Sequence, residues 1–276
     1  MQNVRLPNGT SVPVLGQGTW TMGEDPRRRS EETAALRYGV ERGLRVVDTA
    51  EMYSEGATEA FLGEALAGLR DGIFLVSKVY PHNAGGGQLV RSCENSLRRL
   101  RTDHLDLYLL HWRGRVPLAE TIQGMRALQE AGKIRAWGVS NLDTADMIEL
   151  TKAGGTGCAT DQVLYNLGRR GPEYDLLPWL AAHDIPLMAY SPIEQGNLDT
   201  TPALRRVAER RQLSPLQVAL AWVLRQPGLI AIPKASSIAH VEQNCAAAAV
   251  TLSQDEIAEL DAAYPAPHGK VPLQML

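Results

Sequence analysis

Three cysteines, Cys93, Cys158 and Cys245, are all that the 276 residues contain, far apart and odd in number. This excludes a disulfide framework and a paired-cysteine metal site. Their expected role is that of small buried apolar residues in a reducing compartment. Long apolar runs are also missing. None approaches the ~20 residues that span a bilayer, and Met1-Gln2-Asn3-Val4-Arg5 has no apolar signal core. The expected location is the cytoplasm, without membrane contact. Excess charge of one sign is missing too: 28 Lys and Arg against 31 Asp and Glu give a net charge of −3. That argues against nucleic acid or an anionic membrane as the main partner and leaves a small molecule. No GxGxxG occurs, which disfavours an open doubly wound sheet seating a dinucleotide on its first turn. No HxH or HExxH occurs among His82, His104, His111, His183, His240 and His268. No metal site is therefore expected, and a metal-dependent hydrolase built on Asp48 and His111 is disfavoured.

What is present is a globular composition, 44% apolar and 21% charged. At about 150 residues per domain the length falls just short of two domains, but β/α barrels reach about 250 residues as one. Asn8-Gly9, between Val4-Arg5-Leu6 and Val12-Pro13-Val14, predicts a hairpin turn. Beyond it, eight short apolar or β-branched runs occur at 15–19, 45–47, 73–76, 105–110, 134–139, 158–160, 185–189 and 229–232. Between them lie amphipathic stretches at 30–41, 58–69, 89–100, 118–131 and 143–151. Another covers 216–225, with Pro215 at its first helical position. The first of these carries Ala34, Leu36 and Val40 inward. Eight alternations with nearly continuous apolar strands predict an α/β fold, a single (β/α)8 barrel over 1–276. An N-terminal hairpin over 1–14 and a tail over 265–276 complete it.

Barrel chemistry lies at the C-terminal ends of strands. Asp48 follows the second run, Lys78 the third and His111 the fourth. Ser140 and Asn141 follow the fifth, Gln162 the sixth, Tyr190-Ser191 the seventh and Pro233-Lys234 the eighth. Asp48 and Lys78, on adjacent strands, form the obvious buried pair. A barrel-stabilising ion pair beside a satisfied histidine is the plain alternative. Tyr53, five residues past Asp48, lies over the same end. A lysine about 4 Å from a phenol interacts with the phenolate by about 4 kcal/mol at an effective dielectric near 20. On that estimate Lys78 lowers the Tyr53 pKa by up to about 3, less whatever burial of the phenol takes back. Such a phenol protonates an alkoxide while His111 holds the carbonyl oxygen, an arrangement suited to carbonyl reduction with a nicotinamide. Ser140, Asn141 and Gln162 suit a carboxamide, and Tyr190 offers a ring for stacking. Lys234, Ala235, Ser236 and Ser237 precede a helix near Ile238 and offer a phosphate seat.

The ordered motifs carry a resemblance. They are Gly16-Gln17-Gly18-Thr19-Trp20, Val47-Asp48-Thr49-Ala50-Glu51-Met52-Tyr53, Val76-Ser77-Lys78-Val79 and Asp106-Leu107-Tyr108-Leu109-Leu110-His111-Trp112. Gly138-Val139-Ser140-Asn141, Ala189-Tyr190-Ser191-Pro192 and Ile232-Pro233-Lys234 complete the series. Over nearly its whole length the chain resembles the aldo-keto reductases, most of all the bacterial branch that reduces methylglyoxal and similar small aldehydes. The resemblance implies a barrel that binds extended NADPH, with NADH as the second candidate. It implies Tyr53 as proton donor, Lys78 as its tuning lysine, Asp48 as the partner of Lys78 and His111 as substrate orienter. Ser140, Asn141 and Gln162 would meet the carboxamide, and Tyr190 would stack on the ring. Thr19, Trp20, Ser191 and Pro192 would line the cofactor. Lys234, Ala235, Ser236, Ser237, His240 and Asn244 would meet its adenosine phosphate end. His240 stands where many members carry arginine, and Gln243 where glutamate is common.

Family pockets use the loops after the fourth and seventh strands and the tail. Here both loops are short, at 113–117 and 192–199, which implies an open site for small aldehydes. Trp20, Tyr80 and Trp112, with Tyr53 and His111, are the candidate pocket walls. Arg113 or Arg115 would favour anionic substrates, or else are solvated. The apolar end of the tail is expected over the mouth. The leading reading is a monomeric NADPH-dependent carbonyl reductase. The alternative is a nicotinamide-binding regulatory subunit with little turnover.

Overall fold

The computed structural model describes residues 2–276. β1 (Asn3–Arg5) and β2 (Ser11–Pro13) form an antiparallel hairpin with Val4 opposite Val12. The hairpin turn closes with the Gly9 N–H donating to the Leu6 carbonyl at 2.8 Å, so Pro7 and Asn8 lie at its centre and Gly9 follows at φ +87°, while Asn8 Oδ1 accepts from the Thr10 N–H at 3.0 Å.

Eight parallel strands follow: β3 (Gln17–Gly18), β4 (Val46–Asp48), β5 (Phe74–Val79), β6 (Leu105–Leu110), β7 (Ile134–Ser140), β8 (Cys158–Leu164), β9 (Leu187–Tyr190) and β10 (Leu229–Ala231). Each pairs with the next in chain order. Parallel bridges from Leu15 to Ala231 and from Gly18 to Lys234 close the sheet into a barrel. The seam is tight. A Cβ on Gly18 would lie 2.7 Å from the Ile232 carbonyl oxygen, so glycine is required there.

The helices are α1 (Arg29–Glu41), α2 (Ala57–Ala65), α3 (Gly86–Leu100), α4 (Leu118–Glu130), α5 (Thr144–Lys152), α6 (Leu176–Ala182), α7 (Pro202–Arg211), α8 (Pro215–Leu224), α9 (Ile238–Ala248) and α10 (Gln254–Ala263). Reciprocal capping boxes start three of them: Asp143 with Asp146, Ser214 with Gln217, and Ser253 with Glu256.

Strand alternation sorts the side chains into two cores. Val46, Val76, Leu107, Leu109, Met188 and Ile230 form an inner cluster that the hairpin residues Val4, Leu6 and Val12 join. Val47, Leu75, Val79, Tyr108, Leu110 and Ala189 belong to the larger cluster shared with the helices. The inner parity then determines the site. Two residues beyond Val46, Val76, Leu109 and Met188 stand Asp48, Lys78, His111 and Tyr190.

Several boundaries differ from expectation. α1 begins at Arg29 with no side-chain cap, and Ala35 rather than Ala34 faces the core. α2 stops at Ala65, followed by turns to Gly72. β8 runs on to Leu164, four residues past the apolar run, because its polar residues Asp161 and Gln162 are buried in the sheet. Between Trp137 and Val139 the β7–β8 register slips.

Candidate active site

Lys78 is fully buried and Asp48 is 2% exposed. The Lys78 ammonium donates to Asp48 Oδ2 at 2.7 Å, to the Thr49 carbonyl at 2.7 Å and to Tyr53 Oη at 3.1 Å. All three of its N–H bonds are therefore used. Asp48 accepts a further bond from Gln162 Nε2 at 2.8 Å, and its carbonyl accepts from the Thr19 hydroxyl at 2.8 Å. Tyr53 opens a tight turn, Tyr53–Gly56, that passes through left-handed Ser54 and Glu55 and leads into α2. The loop before it tracks β5: Thr49 N–H donates to the Val76 carbonyl and Glu51 N–H to that of Lys78.

One expectation is corrected. Burial holds the Tyr53 phenol above the ordinary value, and Lys78 pulls it only part of the way back. Asp48, paired with Lys78, opposes the lysine and also raises the phenol. The Lys–Tyr estimate left burial unsized and omitted the carboxylate. Burial likewise raises Asp48 against the pull of Lys78. Burial pulls Lys78 down, but Asp48 beside it and the hydrogen bonds to Asp48 and Tyr53 outweigh this and hold it up. Tyr53 therefore keeps its proton at neutral pH, with a cation at 3.1 Å to accept the charge left when the proton departs.

His111 stands 6.1 Å from Tyr53 between ring centroids, at 70°. Burial, with Lys78 adding to it, pushes its pKa down to about 2, so the imidazole is neutral. Nδ1 is buried without a hydrogen-bond partner. Trp112 leans on His111 at 5.0 Å, and Tyr80 meets Trp112 edge-on at 5.9 Å and 89°. Trp20 is 47% exposed.

The amide-bearing residues form one network. Ser140 Oγ donates to the Gln162 carbonyl at 2.7 Å. Asn141, at φ +59°, donates to the His111 carbonyl at 3.1 Å. The Tyr190 hydroxyl donates to Asn141 Oδ1 at 3.1 Å, and burial pushes that phenol up to about 12. Beyond it Ser191 is left-handed and Pro192 buried. At the barrel seam, half-buried Lys234 donates to the Thr21 hydroxyl. No carboxylate lies within ion-pair distance of Lys234 among the described residues. Ala235 and Ser236 are buried, and Ser237 caps α9 by accepting from the His240 N–H at 3.3 Å. The His240 side chain is exposed and Asn244 buried.

Arg113 is engaged, donating to the Val116 carbonyl at 3.1 Å and to Glu149 at 3.0 Å, so it does not await an anion. The tail is fastened by Lys270 to Asp175 at 3.1 Å and Asp143 at 3.6 Å. Two contributors were not anticipated. Asn166 donates to the Ser191 carbonyl at 2.9 Å and to Glu194 at 2.6 Å, which holds the loop after β9. Glu51 accepts from the Tyr80 N–H at 2.7 Å. Polar residues just past a strand end were the available signal for Asn166.

Comparison with known proteins agrees with this fold. A model described as the Aldo/keto reductase family matches residues 14–265. The chain is 54% identical to methylglyoxal reductase YeaE of Escherichia coli, over 99% of this chain and 98% of that protein. It is 32% identical to glyoxal reductase of Bacillus subtilis, over 94% and 91%. The crystal structure of a Klebsiella pneumoniae aldo-keto reductase in complex with NADPH superposes with a TM-score of 0.97 at 53% identity, covering 100% of this chain and 99% of that one.

Proposed function

The chain belongs to the aldo/keto reductase family, and from that premise we infer that it is an NADPH-dependent oxidoreductase. It reduces small aldehydes and ketones such as methylglyoxal to alcohols. The observation that carries the reading is the buried Lys78 ammonium, bonded at once to the Asp48 carboxylate and the Tyr53 phenol.

The residues fit the cofactor. Lys234 is a half-buried cation without a carboxylate partner, standing just before the capped start of α9, as a phosphate requires. Asn141 and Gln162 supply amide groups beside Ser140, and Tyr190 supplies a ring held by Asn141. Thr19, Trp20, Ser191 and Pro192 line the path between them, and Ala235, Ser236, Ser237, His240 and Asn244 surround the phosphate seat. Bound NADPH supplies the hydride that the carbonyl carbon receives. Neutral His111 donates a hydrogen bond from its Nε2–H to the substrate carbonyl oxygen, keeps that proton, and aims the oxygen at Tyr53. Tyr53 gives its proton to that oxygen as negative charge builds there. Lys78 stabilises the phenolate left behind, and Asp48 keeps Lys78 charged and in place. Trp20, Tyr80 and Trp112 wall the substrate.

The regulatory-subunit alternative gives way, because the similar proteins are named as reductases and the proton-transfer residues stand together. In this reading one barrel domain carries the whole activity, as a cytoplasmic monomer. Its free thiols suit a reducing compartment: burial pushes Cys93 and Cys158 up to about 12. Among the described residues no helix is long and apolar enough to cross a membrane. The test is a panel of aldehydes and ketones, methylglyoxal included, assayed in parallel with NADPH and NADH. Aldehyde-dependent NADPH consumption is expected. Tight NADPH binding without turnover across the panel would overturn the reading, and size-exclusion chromatography tests the monomer.

A further inference from the structure

Glu51 is 9% exposed, and no lysine, arginine or histidine lies within ion-pair distance of it among the described residues. A buried carboxylate without a counter-charge is costly unless strong hydrogen bonds replace its water. Glu51 Oε1 accepts two, from the Tyr80 backbone N–H at 2.7 Å and from Asn83 Nδ2 at 3.1 Å. Both donors belong to the turn after β5, where Pro81–Asn83 make one turn of helix. Glu51 itself lies on the loop that presents Asp48 and Tyr53, and its own N–H donates to the Lys78 carbonyl at 3.2 Å. One carboxylate thus joins the proton-donor loop to the turn carrying Tyr80.

That turn supports the aromatic wall. Tyr80 packs edge-on against Trp112, which leans on His111. The loop after Trp112 lies directly on the turn: a Cβ on Gly114 would stand 2.4 Å from the Pro81 Cβ. A three-carbon aldehyde held by Tyr53 and His111 offers this wall less surface than an aromatic aldehyde, whose ring is large enough to pack on Trp112 and Tyr80.

We propose that Glu51 is a positioning residue that sets the Tyr80–Trp112 wall relative to Tyr53 and thereby governs acceptance of bulky aromatic aldehydes. The proposal rests on the reductase reading above. Loss of one aromatic packing contact corresponds to about fivefold to tenfold in affinity.

The experiment compares Glu51→Ala and Glu51→Gln in the NADPH-loaded protein, with methylglyoxal and benzaldehyde as substrates. Amide hydrogen exchange over residues 79–84 is followed alongside. Glu51→Ala should raise KM for benzaldehyde about fivefold to tenfold while kcat for methylglyoxal changes less than about threefold. Exchange at 79–84 should rise. Glu51→Gln, whose amide oxygen still accepts both bonds, should restore both readouts. In a Tyr80→Ala background the Glu51→Ala effect on benzaldehyde should disappear. Equal losses for both substrates, additive effects with Tyr80→Ala, or faster exchange with unchanged selectivity would each overturn the proposal. If the wild type reduced neither aldehyde, the reductase reading would fail. The clamp would then stand or fall on exchange at 79–84 and its rescue by glutamine.

Discussion

Replacing Lys78 by methionine removes the one cation beside the Tyr53 phenol while nearly preserving side-chain volume. At 3.1 Å and an effective dielectric of about 20, the lysine stabilises a phenolate by about 5 kcal/mol. Asp48, 2.7 Å from the same ammonium, opposes part of that. A net of about 3–4 kcal/mol remains, which corresponds to about 10²–10³ in kcat. The fold should survive, because Asp48 can take up a proton once its counter-ion is gone and still accept from Gln162 at 2.8 Å. The assay is kcat for methylglyoxal at saturating NADPH, with circular dichroism and NADPH fluorescence as controls for folding and cofactor binding. A folded, NADPH-binding variant with kcat within about fivefold of wild type would refute the electrostatic role of Lys78.

The remaining predictions concern pH, cofactor and seam. Burial raises Tyr53, and the protonated phenol is the donor, so reductive kcat should stay level through neutral pH. It should fall only above the ordinary phenol range near 10, and a fall centred near pH 7 would contradict this. His111 is held neutral, with its pKa pushed down to about 2, whereas in the unfolded chain it gains a proton below about 6.5. The unfolded state then binds more protons, so the His111 contribution is lost as pH falls below about 6.5, at about 1.4 kcal/mol per pH unit. Urea titrations at pH 6.5 and 5.0 should show a drop about 2 kcal/mol smaller in His111→Asn, and an equal drop would refute the shift. Lys234→Met should weaken NADPH binding about tenfold while changing NADH much less, measured by fluorescence titration. Gly18→Ala should destabilise the barrel by about 1–3 kcal/mol, read in thermal melts, because its Cβ would meet the Ile232 carbonyl.

Much of the site was legible because strand alternation is a rigid rule. Val46 and Val47 already imply that Asp48 points inward, and the same step of two gives Lys78 from Val76 and His111 from Leu109. The pairing of Asp48 with Lys78 follows from adjacent strands and is found at 2.7 Å. What escaped lies where the chain leaves regular geometry. Glu51 and Asn166 act through loops whose course depends on left-handed residues, Ser54 and Glu55 in one and Ser191, Glu194 and Gln195 in the other. No periodicity encodes those turns. α7 and α10 carry helix-capping residues, Thr201 and Ser253, but their apolar stripes are interrupted by charge. The direction of the Tyr53 shift was misjudged for a different reason. A two-body estimate sizes the lysine, but the sequence gives no measure of the burial that outweighs it, and the estimate leaves out the carboxylate that compensates it.

The most direct test of the account is Tyr53→Phe, assayed with saturating NADPH and methylglyoxal after NADPH binding is shown to match wild type. The account predicts unchanged cofactor affinity with kcat reduced by about 10²–10⁴, the range a positioned general acid contributes. Full turnover in the folded, NADPH-bound phenylalanine variant would contradict it.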